Sequence, residues 1–68
     1  MTKNEAFVLT AFTGILLCPI DEFRDWLAVN VDDDPFDYLF EDARDKAFAR
    51  LRAKYRPEID RMHRETFG

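Results

Sequence analysis

The chain opens with apolar positions packed almost without interruption and then settles into apolar residues spaced three and four apart. Residues 7–18, Phe-Val-Leu-Thr-Ala-Phe-Thr-Gly-Ile-Leu-Leu-Cys, carry only Thr10, Thr13 and Gly14 as breaks. Thr2 precedes Glu5 at capping-box spacing, which satisfies two orphan N–H groups at a helix start. The pattern predicts a first helix over residues 3–17, ended at Cys18-Pro19 because the residue before proline is pushed out of the α region. Apolar on nearly every side, it reads as a central buried helix. Gly14 costs about 1 kcal/mol against alanine inside a helix. Its presence implies either a close neighbour or an earlier helix end.

Downstream, Phe23, Trp26 and Leu27 fall on one face of a second helix over residues 22–29, with Asp21 as its cap. A polar connection, residues 30–33, leads to Asp34-Pro35. Aspartate at the N-cap and proline at the first helical position form a strong start signal. The third helix is expected over residues 35–55, where Phe36, Phe40, Ala43, Ala47 and Leu51 form a stripe widened by Leu39, Phe48 and Tyr55. Pro57 kinks or ends it, and a short last helix over residues 57–65 offers Ile59 and Met62. No stretch alternates with the period of a strand. The expectation is an all-α single domain, residues 1–68, built as a compact bundle of three main helices and a short C-terminal one.

Size bears on how such a fold is held. A chain of 68 residues buries only about 60% of the surface it exposes when unfolded. Cys18 is the single cysteine, so no disulfide forms within the chain, and a lone buried thiol suits a reducing cytoplasm. Seven phenylalanines, two tyrosines and one tryptophan point to dense aromatic packing as the source of stability. Trp26 is read as core, with an interface as the alternative. The apolar opening is shorter than the roughly 20 residues of a membrane span. It also lacks the positive flank and small-residue cleavage site of a secretory leader. The expectation is therefore no membrane and a cytoplasmic protein.

Charge is segregated. Residues 21–45 hold ten acids against Arg24 and Arg44, net −8, while residues 46–68 are net +4 and the whole chain −4. Acids at the start of the third helix and bases towards its end suit the macrodipole. That does not explain the run Asp32-Asp33-Asp34 or the acids of the second helix. Three readings follow. The acidic segment, through Asp32, Asp33, Asp34, Asp37, Glu41 and Asp42, faces the basic surface of another protein, such as one that binds nucleic acid. Alternatively, acidic and basic halves of two copies pair in a homodimer. In the third, Arg50, Arg52, Lys54, Arg56 and Arg61 read nucleic acid, which the net charge and a pI of about 4.8 disfavour.

Catalytic chemistry finds little support. His63, the only histidine, sits between basic neighbours and reads as a surface residue. Cys18 lies where a thiolate is disfavoured. Residues 32–43 fail as a calcium loop, with Asp37 at position six and Ala43 at position twelve in place of glycine and glutamate. No glycine-rich phosphate loop, metal set or cofactor motif occurs, and no enzyme is expected.

Thr10-Ala11-Phe12-Thr13-Gly14-Ile15-Leu16-Leu17-Cys18, with Phe23 following, resembles the opening of a family of small proteins encoded by bacteriophages and prophages. The resemblance covers about residues 4–27. The Gly-Arg-Pro and Thr-His-Glu segments of that family do not follow here; the acidic stretch 32–37 stands in their place. What the resemblance implies is a phage setting and a host cytoplasm. Together with small size and an acidic segment, this leads to an expected role in stoichiometric binding. The target would be a host protein, such as a defence nuclease of the CRISPR or restriction type. A structural homo-oligomer and a small DNA-binding regulator are the alternatives.

Overall fold

The computed structural model describes residues 1–31 and 36–68, which contain three α-helices, a 3-10 turn and no strand. The elements are α1 (Lys3–Thr13), α2 (Ile20–Asn30), a 3-10 turn (Phe36–Leu39) and α3 (Glu41–Phe67). Asp34-Pro35, expected to start the third helix, lies outside the described residues.

The first helix begins as its sequence predicts. Thr2 Oγ1 accepts the Glu5 N–H at 3.1 Å, and Glu5 Oε1 accepts the Thr2 N–H at 2.8 Å. It ends earlier than predicted, at Thr13 rather than residue 17. Gly14 adopts φ 78°, a left-handed C-cap that glycine reaches without a Cβ penalty, and donates its N–H to Thr10 O at 2.9 Å. A Cβ built there would lie 2.7 Å from Arg52 Nη1. Both reasons for the glycine therefore hold: the helix stops, and a neighbour approaches closely.

The backbone then returns along α1 without helix. Thr10, fully buried, organises this return. Its hydroxyl donates to Ala6 O at 2.7 Å, accepts the Leu17 N–H at 3.1 Å and lies 3.6 Å from Cys18 Sγ. Thr13 Oγ1 accepts the Ile15 N–H at 3.1 Å, and Arg52 Nη1 donates to Thr13 O at 3.0 Å. Beyond the return, α2 meets α1 through side chains: Lys3 lies 3.3 Å from Glu22, and the Phe7 ring stacks on Trp26 at 5.6 Å. The second helix starts one residue before Asp21, its N-cap is Pro19, and no side chain caps it. Asp21 instead lies in the first turn, where its charge still suits the dipole.

The core is aromatic at its centre. Phe23, fully buried, meets Phe48 at 5.6 Å and Tyr38 at 5.7 Å, and Tyr38 meets Phe48 edge-on at 5.0 Å and 88°. Offset and edge-to-face pairs of this kind add about 0.5–1.5 kcal/mol each beyond burial. The Tyr38 hydroxyl, also buried, donates to Ala47 O at 2.9 Å, which satisfies its one polar group. Arg44 Nε donates to Tyr38 O at 3.1 Å. The 3-10 turn is thus tied to α3 at both backbone and ring, and α3 begins only at Glu41, with Phe40 as N-cap.

The helix is interrupted ahead of Pro57, as expected: Tyr55 has non-helical φ −116° and ψ 22°, so two helical segments meet at a kink within α3. Proline lacks the N–H that would bond four residues back, and its ring crowds that carbonyl. Beyond the kink, Ile59 is fully buried in the same core, and α3 packs along α1.

Replacing Thr10 with valine removes the acceptor of the part-buried hydrogen bond from the Leu17 N–H and the fully buried hydroxyl that bonds Ala6 O. Urea unfolding should show a loss of about 1–3 kcal/mol, with serine at the same position restoring most of it. Equal stability of valine and threonine would contradict the role given to the hydroxyl. The Glu5 carboxyl is held below its ordinary range, first by its backbone hydrogen bond to Thr2 and then by the Thr2 side chain. A depressed carboxyl contributes stability above its unfolded value and loses it as pH falls through the folded one. In acid titrations followed by circular dichroism, Glu5→Ala should flatten the stability profile below about pH 4.5.

Candidate partner-binding surface

The residues expected to bind a partner do not all fall on one described surface. Asp32, Asp33 and Asp34 lie outside the described residues. Asp37 sits in the 3-10 turn, where Arg50 Nη2 donates to its Oδ2 at 2.6 Å. Glu41 and Asp42 are exposed in the first turn of α3. The half-exposed ring of Phe40 precedes them immediately. The acidic head of α3 therefore comprises an engaged Asp37, two exposed carboxylates and an apolar neighbour.

Basic residues on α3 are largely engaged. Arg61 pairs with Glu65 at 3.2 Å, Arg56 Nε lies 3.1 Å from Asp60 Oδ1, and Arg52 bonds the carbonyl of Thr13. The Arg56–Asp60 contact is one of charge alone, because Asp60 Oδ1 is buried without an aligned hydrogen bond. These pairs are exposed enough to be worth at most about 1 kcal/mol each. They nonetheless set Arg56 and Arg61 against carboxylates on the face that would otherwise read phosphates.

Cys18 and His63 are not brought together as a nucleophile and base. Cys18 lies against Thr10, and burial pushes its thiol up, with the Glu22 carboxylate adding to the shift; hydrogen bonds from Thr10 and the Leu17 backbone oppose it. His63, expected at the surface, is half-buried instead. Its ring stacks on Phe12 at 3.9 Å and 16° and tilts against Phe67 at 5.1 Å, while Arg56 lies over the Phe12 ring at 5.3 Å. Helical spacing alone does not show that α1 brings Phe12 to this position. Among the described residues no group of three or more His, Cys, Asp or Glu is arranged to hold a metal ion. Nor is any helix among them long and apolar enough to cross a membrane.

Two surface features escape the sequence pattern. The first is the return loop, where Ile15, Leu16 and Leu17 are 63%, 37% and 44% exposed. They were expected inside a buried helix; the Gly14 stop turns them outward. The second is a shallow groove of about 450 Å³ between α1 and α2. Phe7, Trp26, Val29 and Asn30 line it together with two paired carboxylates, Glu22 with Lys3 and Asp25 with Arg24. Trp26 is half-buried, stacked between Phe7 and Phe23, and also borders a smaller, polar recess of about 220 Å³ with Arg61 and Glu65. Comparison with family models, curated proteins and solved structures finds no match.

A raised thiol pKa means less thiolate at mild pH. Iodoacetamide should label Cys18 more slowly in the folded chain at pH 8 than in the urea-unfolded chain. Equal rates would contradict the burial given as the cause.

Proposed function

We propose that this protein acts by stoichiometric binding to another protein, docking the acidic head of α3 onto a basic surface. The observation that carries this reading is the exposed pair Glu41 and Asp42 beside the half-exposed ring of Phe40. Such a surface combines charge, which speeds encounter with a positive partner, with an aromatic anchor of the kind that carries binding energy. Asp37 extends the patch once its exposed pair with Arg50 exchanges for a partner's cation, a substitution of small cost. Asp32, Asp33 and Asp34 adjoin it in sequence and belong to the same proposal.

The resemblance of residues 4–27 to small phage proteins supplies the setting. In that setting the partner is a host protein that handles nucleic acid, such as a defence nuclease, and the carboxylates occupy its phosphate-binding residues. Direct nucleic-acid binding is the poorer reading, because Arg50, Arg56 and Arg61 already face carboxylates.

Affinity capture from host lysate, read by mass spectrometry, tests the proposal. The double variant Glu41→Gln, Asp42→Asn should retain its helical circular dichroism and capture the target at least tenfold less well. The difference should be larger at low salt, where exposed charges are least screened. Capture unchanged in the variant at both salt concentrations would discard the acidic docking surface.

A further inference from the structure

The two helical segments of α3 are attached to the rest of the molecule in different ways. Tyr55 leaves the helical region, and Pro57 offers no N–H to the carbonyl four residues back, so the ladder lacks a rung where the segments meet. The Tyr55 ring packs on the core cluster with Lys54 Nζ 5.2 Å from its centroid, which fixes the break on the core side. Ahead of the break, α3 is tied to other elements by polar bonds: Tyr38 to Ala47 O, Arg44 to Tyr38 O, Arg50 to Asp37 and Arg52 to Thr13 O. Beyond it, among the described residues, there are none. Arg56 pairs with Asp60, Arg61 with Glu65 and the Gly68 amide with Arg64 O, all inside the same segment. What holds this segment down is apolar and aromatic: Ile59 in the core, Met62 against it, and the His63 ring on Phe12 with Arg56 over the same ring. One group opposes closure. Asp60 Oδ1 is buried without an aligned hydrogen bond, and water supplies one when the segment lifts.

We propose that residues 56–68 form a strap hinged at Tyr55, which lifts as a unit while the Phe23–Tyr38–Phe48 cluster stays folded. In the open form α1 keeps its own ties, through Arg52 to Thr13 O, Lys3 to Glu22 and Phe7 to Trp26. Lifting uncovers Phe12 together with the apolar side of the strap. An isolated helix this short is marginal in water, so the strap loses its helical hydrogen bonds whenever it leaves its seat. Partial opening of this kind lies below global unfolding in free energy. The device goes beyond the protein-binding reading and uses neither Glu41 nor Asp42, which stand in the first segment, so either can fail alone.

Hydrogen exchange of the intact chain, followed amide by amide, tests the strap. The amides of Met62, His63 and Arg64 should exchange at least about tenfold faster than those of Leu27 and Phe48, yet far slower than in an unstructured peptide. Their rates should also climb less steeply with urea, because lifting the strap exposes less surface than unfolding the core. Tyr38→Phe removes the bond to Ala47 O. It should speed the Leu27 and Phe48 amides several-fold and leave the strap amides unchanged, since the strap opens without the core. Ile59→Ala should speed both groups, because unfolding the core includes lifting the strap. One shared rate and urea dependence for strap and core, or an equal response of both to Tyr38→Phe, would overturn the proposal. So would strap amides that exchange at the unstructured rate, since the strap would then never be closed.

Discussion

A single buried hydroxyl sets the course of the first half of this chain. Thr10 sits inside α1 with no exposure, where a β-branched polar residue has no advantage for helix propensity. It bonds back to Ala6 O, as threonines in helices commonly do, and uses its remaining capacity for the Leu17 amide. That second bond pairs the Leu17 N–H within the six non-helical residues that follow α1. Beyond this return, α2 meets α1 through the Lys3–Glu22 and Phe7–Trp26 contacts.

The second half closes the core by a different route. Tyr38 and Phe48 enclose Phe23, and the tyrosine hydroxyl ends on a backbone carbonyl of α3, so the ring is both packed and satisfied. The long α3 can then bend at Tyr55, ahead of Pro57, and still bury Ile59 against the same cluster. Surface ion pairs decorate this arrangement and contribute little to it, since each is substantially exposed. Their effect is on what the surface can recognise: they set Arg50, Arg56 and Arg61 against carboxylates while Glu41 and Asp42 stay exposed.

Much of the helical content was legible from residue spacing. The Thr2–Glu5 box, the Phe23–Leu27 face, the Ala47–Leu51 stripe and the disturbance before Pro57 all act through local chemistry that a sequence displays. Gly14 was legible only as a choice between a close neighbour and an early stop. Settling it needed Arg52, thirty-eight residues away, and the hydroxyl of Thr10, which a hydropathy pattern treats as a mere interruption. The exposure of Ile15, Leu16 and Leu17 was hidden for the same reason: an apolar run shows a need for burial, not where the backbone turns. Of the partner-binding residues, Glu41 and Asp42 stand where helix-start chemistry places acids. The pairing of Asp37 with Arg50 depends on the tertiary path and could not be read from spacing.

The functional proposal draws on the acidic head of α3, while the apolar loop held out by Thr10 belongs to the first half of the chain. The loop's fixed conformation is the claim on which the architecture turns, and hydrogen exchange of the Leu17 amide tests it most directly. Leu17 lies in a surface loop with a 44% exposed side chain, so an unheld amide there would exchange within the fraying range of free loops. The account predicts protection close to that of the slowest core amides, released only by global unfolding. Exchange of Leu17 at the rate of an unstructured peptide would contradict it.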